Sequence, residues 1–403
     1  MKQPNPIVLD LDGHDTAAQD AEIRARGPVV PVEIQAGVHA WVITGADPLK
    51  SVLAGDHVSK DGRQHWPAFR DGQIGADHPL ATWTVLPENM FTTYGPEHKK
   101  LRQIAAKWFT HRNTQGLRPR IEVYTTDLLD GLAALPAGEV VDLRDAYAYP
   151  LPIRVISELL GVPEHLQAPL RACVDGLFNT SITASYAAMY ALLAELVEYR
   201  TQHPGDDLTS LLVAGKKDTG VTDRQIADTM LLMISAGHET TVNLLDQVIY
   251  HLNAAPHWRA AVMSGEVTWR AVFDETLRLE APVRYIPLRY AVSDFTLCGV
   301  DIKAGDPILA SYGLAGRDPE IHGETADQFD PTRPTRGKHI SFGHGAHRCL
   351  GEPLALMEAE IAAPALFARF PEFVLTTTDP TELGSTPGYI ANGHNHLPAL
   401  LKG

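Results

Sequence analysis

Apolar residues recur at helical spacing along most of this chain and alternate at strand spacing along little of it. The periodicity predicts helices over 98–134, 147–161, 165–200, 208–254, 257–280 and 353–370. Short apolar runs predict strands at 28–34 (P-V-V-P-V-E-I), 39–44 (H-A-W-V-I-T) and 295–302 (F-T-L-C-G-V-D-I). The expected fold class is mainly α with small β-sheets. From 97 to 112, Leu101, Ile104, Ala105 and Trp108 fall on one helix face behind Pro96. Lys99, Lys100, Arg102, Lys107 and Arg112 supply the polar face, whose ordinary fate is solvation. The apolar stretch from Thr222 to Asn253 predicts one long helix, opened by a Thr222/Gln225 capping box and followed by Pro256. Gly237, Thr240 and Thr241 at its middle are poor helix formers. They fit either a local break with a groove or a crossing where glycine admits a second backbone. Glu275 and Arg278 share a face at i, i+3, which on an exposed surface contributes little. Pro364 should kink the last helix or end part of it.

Composition narrows the class. The chain has 403 residues, 44% of them hydrophobic, enough to bury a sizeable core. Length alone suggests two or three domains, but no linker, repeat or low-complexity stretch divides the chain. A single domain over 1–403 is expected. A net charge of −15 argues against nucleic acid as a partner. No apolar run of about 18 residues offers a membrane span. The start, M-K-Q-P-N-P-I-V-L-D, reads as neither signal peptide nor anchor. Three cysteines without pairing spacing suit the reducing cytoplasm.

The densest chemistry lies in F-G-H-G-A-H-R-C-L-G, Phe342 to Gly351. Cys349 stands directly before a predicted helix, whose N–H groups and dipole favour a thiolate. Gly343, Gly345 and Gly351 allow a tight fold and close approach to a flat ligand. Such a thiolate suits an axial ligand of haem iron. Two other readings compete. A lone cysteine is commonly a small buried hydrophobe. His344, His347 and Cys349 could also suggest zinc, but Cys173 and Cys298 are isolated, leaving a tetrahedral site short of ligands.

The pattern F-x-x-G-x-H-x-C-x-G resembles the haem-binding signature of the cytochrome P450 family. Upstream, in order, stand A-G-H-E-T-T from Ala236 to Thr241 and E-x-x-R from Glu275 to Arg278, followed by F-D-P-T-R ending at Arg333. These resemble the family's oxygen-activation motif and its buried Glu–Arg–Arg network. The resemblance implies the triangular P450 fold, with a long central helix over haem b ligated by Cys349. It implies cofactor contacts from Phe342, Gly343, His347, Gly351, Ala236 and Gly237. His98 and Arg102 (as H-x-x-x-R) and Arg289 (in P-L-R-Y-A-V) would hold the propionates. Glu239 and Thr240 would be the acid–alcohol pair delivering protons, and Glu275, Arg278 and Arg333 a structural triad. By position, a substrate pocket is expected from Trp83, Met90, Leu177, Phe178, Met233, Ala236, Val283, Ile286, Leu288 and Ile390. Each alone is more often core than ligand contact; together they imply a bulky apolar substrate, and the resemblance implies one that is steroid-, macrolide- or terpenoid-like. The implied reaction inserts one atom of O2. No segment resembles a flavin or nicotinamide domain, so a separate ferredoxin and ferredoxin reductase are expected to supply electrons. Lys99, Lys100 and Lys107 are then candidates for docking the acidic partner. The style of 147–163 and the lack of an anchor resemble the soluble, monomeric, actinobacterial branch. A haem-thiolate binding or sensor protein would not need Glu239 and Thr240, and a peroxide-driven relative often lacks them.

Overall fold

The structure, a computed structural model, describes residues 5–10, 16–34, 37–179 and 182–401. Helices dominate, and the largest apolar cluster gathers around the helix Asp223–Ala254. Thr222 Oγ1 accepts the Gln225 N–H at 3.1 Å while Gln225 Oε1 accepts the Thr222 N–H at 3.2 Å. This reciprocal cap satisfies two donors that the first turn would leave unpaired. The helix then runs 32 residues without a break. Thr240 Oγ1 donates to Ala236 O at 2.6 Å and Thr241 Oγ1 to Gly237 O at 3.2 Å. The hydroxyls thus bond within the turn and do not interrupt it, so the expected break is corrected. A Cβ on Gly237 would lie 2.5 Å from Ile156 Cδ1. Glycine is needed there because the helix Pro150–Leu160 crosses at that point.

Several expected helices divide. The 98–134 segment forms Gly95–Ala106, His111–Gly116 and Arg118–Ala133, with Thr110 capping the second and Pro119 opening the third. The 257–280 segment forms Pro256–Met263 and Trp269–Leu279, with Thr268 as the cap of the latter. The 165–200 segment forms Glu164–Asn179 and Ile182–Gln202. The helix Glu352–Arg369 passes through Pro364 without ending there. Among the described residues no helix is long and apolar enough to cross a membrane.

A six-stranded sheet runs in the order Ile7–Val8, Val29–Ile34, Val38–Ile43, Pro307–Ser311, Tyr285–Ala291, Val58–Ser59. Sequence periodicity missed Tyr285–Ala291 because Pro287 interrupts it and its register shifts between Ile286 and Arg289. The 295–302 run is two strands, Phe295–Leu297 and Val300–Ile302, rather than one. Cys298 (φ 51°) and Gly299 (φ 80°) turn it, the positive-φ pair that suits a two-residue hairpin.

Glu275, Arg278 and Arg333 form a buried network. Arg278 grips both Glu275 oxygens at 2.7 Å, and Arg333 Nε reaches Glu275 Oε1 at 3.3 Å. Remaining guanidinium donors find the carbonyls of Gly316, Ala326, Gln328, His322 and Thr325. The segment leading into the cysteine loop is thereby tied to the helix Trp269–Leu279.

Candidate active site

Phe342 to Gly351 form a tight loop. Gly343 N donates to Ile340 O at 2.7 Å and Cys349 N to Phe342 O at 2.8 Å. Gly343 and Gly345 have φ of 74° and 71°, and a Cβ on Gly345 would lie 2.4 Å from Leu53 O. Only glycine satisfies both demands at that position. Cys349 is exposed to the cavity, yet desolvation by the surrounding protein pushes its thiol up. The N–H groups of Gly351 and Glu352 and the Arg102 charge pull the other way without offsetting it. The helix-end N–H groups thus favour a thiolate, as expected, without outweighing desolvation. A coordinated cation would supply the opposite charge that favours the thiolate. Among the described residues no three His, Cys, Asp or Glu side chains gather as a metal-holding group.

The loop and the central helix both line one apolar cavity. Phe342, Gly343, His347, Cys349 and Gly351 line it from the loop side; Met233, Ala236, Gly237, Thr240 and Thr241 line it from the helix. Met90, Val283, Ile286, Arg102 and Arg289 reach it from other segments. The sequence also missed Phe91, Phe109, Ile156, Leu159, Leu232 and Glu358 in the lining. Leu288 is corrected: it is fully buried in the core of the sheet, and Ile390 packs against that same core outside the cavity. The side chains of Trp83, Leu177 and Phe178 lie outside the described residues.

At the cavity margin five basic side chains converge. The His98 and His347 rings lie 4.1 Å apart. Arg102 Nη2 donates to Arg348 O at 2.5 Å. His98 Nε2 and Arg289 Nη1 are buried with no partner. Lys60, unforeseen in the sequence, is 2% exposed. Its Nζ donates to Pro287 O at 2.9 Å and lies 3.5 Å from the Phe91 ring centroid. Burial, then the Arg102 and Lys99 charges, lowers His98 to about 4. Burial and neighbouring cations likewise press His347 and Lys60 well below their ordinary values. Among the described residues no carboxylate forms an ion pair with any of the five. Buried basic groups demand counter-charge. This margin therefore fits a ligand carrying carboxylates, with the Cys349 sulfur on the same cavity.

The expected acid–alcohol pair is split. Thr240 lines the cavity, whereas Glu239 turns away to Arg144 at 2.7 Å. Arg144 also meets Asn243 and Asp246 at 3.0 Å each, and Asp246 accepts His394 Nδ1 at 2.6 Å. Burial raises Glu239 above the usual carboxylate range, with Arg144 opposing.

Comparison with known proteins agrees with this geometry. The family model for cytochrome P450 matches residues 268–391. The chain is 39% identical over 404 residues to the 2-hydroxy-5-methyl-1-naphthoate 7-hydroxylase of Streptomyces carzinostaticus, covering 99% of this chain and 98% of that one. It is 36% identical to cytochrome P450 monooxygenase PikC of Streptomyces venezuelae, covering 98% and 94% of the two. The solved structure of CYP154A1 from Streptomyces coelicolor A3(2) superposes with a TM-score of 0.91 at 47% identity, over 98% of this chain and 100% of that one. The chain belongs to the cytochrome P450 family: it is an actinobacterial-type monooxygenase, and the family's cofactor is a haem-thiolate.

Proposed function

We propose that this protein inserts one atom of O2 into a bulky apolar substrate, with haem b ligated by Cys349 and electrons from a ferredoxin and its reductase. The observation that carries the reading is one cavity lined by both Cys349 and Thr240, edged by basic groups without carboxylate partners among the described residues. Bound haem supplies the oxygen activation. His98, Arg102, Arg289, His347 and Lys60 would neutralise its two carboxylates, as a buried dianion requires. Thr240 spends its own proton on Ala236 O, which leaves its oxygen free to accept a hydrogen bond inside the cavity. Glu239 would reach the cavity only by leaving Arg144, so proton supply and that ion pair are coupled. Met90, Phe91, Met233, Val283 and Ile286 give the substrate region its apolar character. This agrees with a steroid, macrolide or other large ring system. In the basic helix, Lys100 is paired with Glu97 at 2.6 Å, while Lys99 and Lys107 are exposed. The latter two are the cations available for an acidic ferredoxin docking to a cytoplasmic monomer.

The test is the spectrum of the reduced, carbon-monoxide-bound protein, followed by turnover with ferredoxin, reductase and a steroid or macrolide panel. A strongly red-shifted Soret band that disappears in Cys349→His supports the ligand. Its survival in that variant refutes the assignment. Turnover by peroxide alone, at the same rate, would replace the ferredoxin reading with a peroxide-driven one.

A further inference from the structure

We propose that Asp228 is a positioning residue for substrate selection: it fixes the loop that carries Met90 and Phe91 and couples it to the helix Ile182–Gln202. Asp228 is fully buried on the central helix and lies outside the cavity lining. Its carboxylate gathers three donors from three segments. Oδ2 accepts the Glu88 N–H at 2.8 Å and Arg224 Nε at 3.0 Å, and Oδ1 accepts the Tyr190 hydroxyl at 2.5 Å. Its backbone carbonyl accepts Asn89 Nδ2 at 3.0 Å. Asn89 Oδ1 in turn accepts the N–H groups of Phe91 and Thr92 at 2.9 and 3.3 Å. One buried residue therefore sets the path of the loop through Glu88 and Asn89, immediately before Met90 and Phe91, which line the cavity.

The second arm leads to the neighbouring helix. Tyr190 donates to Asp228 and accepts from Arg224 Nη2 at 3.0 Å, with the Arg224 guanidinium 4.2 Å from its ring centroid. Tyr190, like Asp228, lies outside the cavity lining. A buried carboxylate is expensive, and an apolar residue of similar volume would pack here without that desolvation cost. Its distinct physical effect is directional: it fixes where the three donors stand. The loop is gripped from its other side by Lys60 against the Phe91 ring and by Arg63 Nη2 on Thr92 O at 3.4 Å. The wall facing a bulky ligand is thus pre-formed. Loosening it adds an ordering cost to every ligand large enough to touch Met90 and Phe91, and to no smaller one.

This inference rests on the reading that the cavity holds haem and substrate, and its test separates the two. Azoles of rising bulk, namely imidazole, phenylimidazole and clotrimazole, would be titrated by their Soret shift into the wild-type holoenzyme and three variants. In Asp228→Asn the dissociation constant for clotrimazole should rise by about tenfold, the scale of one hydrogen bond to a charged group. Tyr190→Phe, which removes one arm only, should give a smaller rise, and Asn89→Ala one comparable to Asp228→Asn. The imidazole constant should stay within about twofold throughout, because that ligand does not span to the wall. Thermal melts and the carbon-monoxide band identify any variant that fails to fold; Tyr190→Phe and Asn89→Ala then decide if Asp228→Asn does so. An unchanged clotrimazole-to-imidazole ratio in the folded variants overturns the proposal. Absence of any azole shift in the wild type overturns the haem reading itself, and this inference with it.

Discussion

Replacing Glu275 by glutamine tests how the buried triad holds the cysteine loop in place. Glu275 Oε2 accepts Arg278 Nε at 2.7 Å. Glu275 Oε1 accepts Arg278 Nη2 at 2.7 Å, Arg333 Nε at 3.3 Å and the Asp330 N–H at 2.9 Å. Glu275 and Arg278 are 0% exposed and Arg333 5%. Glutamine keeps the shape and one acceptor oxygen, but it turns an N–H2 toward a guanidinium and leaves two buried cations without a counter-charge. Breaking a buried pair this way costs about 3–5 kcal/mol. Unfolding entropy near 2 cal/mol/K per residue, over the 403 residues, converts that cost to a fall in melting midpoint of roughly 4–6 °C. Calorimetry and loss of the Soret band on heating should report the same fall, because the triad anchors the segment leading to Cys349. Arg278→Lys should destabilise comparably: lysine keeps the charge but loses the fork and its grip on the Gly316, Ala326 and Gln328 carbonyls. A Glu275→Gln midpoint within about 1 °C of wild type would refute the argument that an uncompensated charge is left behind.

Three further outcomes follow from the site. Arg289→Ala should speed haem transfer to a scavenging apoprotein by about tenfold, the worth of one charge-assisted contact; an unchanged rate would remove Arg289 from the propionate set. Thr240→Ala should retain ligand binding and electron consumption but divert reducing equivalents to peroxide, and full coupling of electrons to product would count against its role. Glu358 is buried on the cavity wall, with Oε2 unpartnered, and burial raises its carboxyl well above the ordinary 4.5. A raised folded value means that its contribution is fully present below the unfolded value and is lost as pH rises toward the folded one. Glu358→Gln should therefore match wild type below about pH 4 and exceed it in urea-unfolding stability at pH 7 and above. Parallel stability curves for the two proteins would show that Glu358 does not titrate abnormally.

What the sequence disclosed, and what it hid, follows from the geometry of each element. The cysteine loop was legible because its constraints are local: glycines at positive φ and Cys349 all lie within ten residues of one another. The capping box of the central helix was legible for the same reason. Lys60 was hidden because it meets Arg289 and Pro287 only through sheet pairing, where Ser59 opposes Tyr290. Leu288 was misplaced by a subtler route. Ile286 and Arg289 both line the cavity although three residues apart, which a regular strand of period two forbids. The register shift between them restores the face and sends Leu288 into the core.

The splitting of Glu239 from Thr240 has the same kind of cause, and here the sequence did contain the signal. Successive residues on a helix point about 100° apart, and the pairs Leu232/Met233, Ala236/Gly237 and Thr240/Thr241 define the cavity face, which leaves Glu239 off it. Thr240 shares its face with Ala236, Gly237 and Met233, all in the cavity lining. Glu239 shares its own with Asn243 and Asp246, at i+4 and i+7, and that polar stripe meets Arg144. Reading A-G-H-E-T-T as a unit obscured this wheel. Because Glu239 lies off the cavity face and is paired with Arg144, acting on a ligand beside Thr240 would need a rearrangement. In this structure the Glu239–Arg144 ion pair is what such a rearrangement must break. With Asp246 and Asn243 already holding Arg144 in place, the mobile partner would be the glutamate, and the arginine would stay.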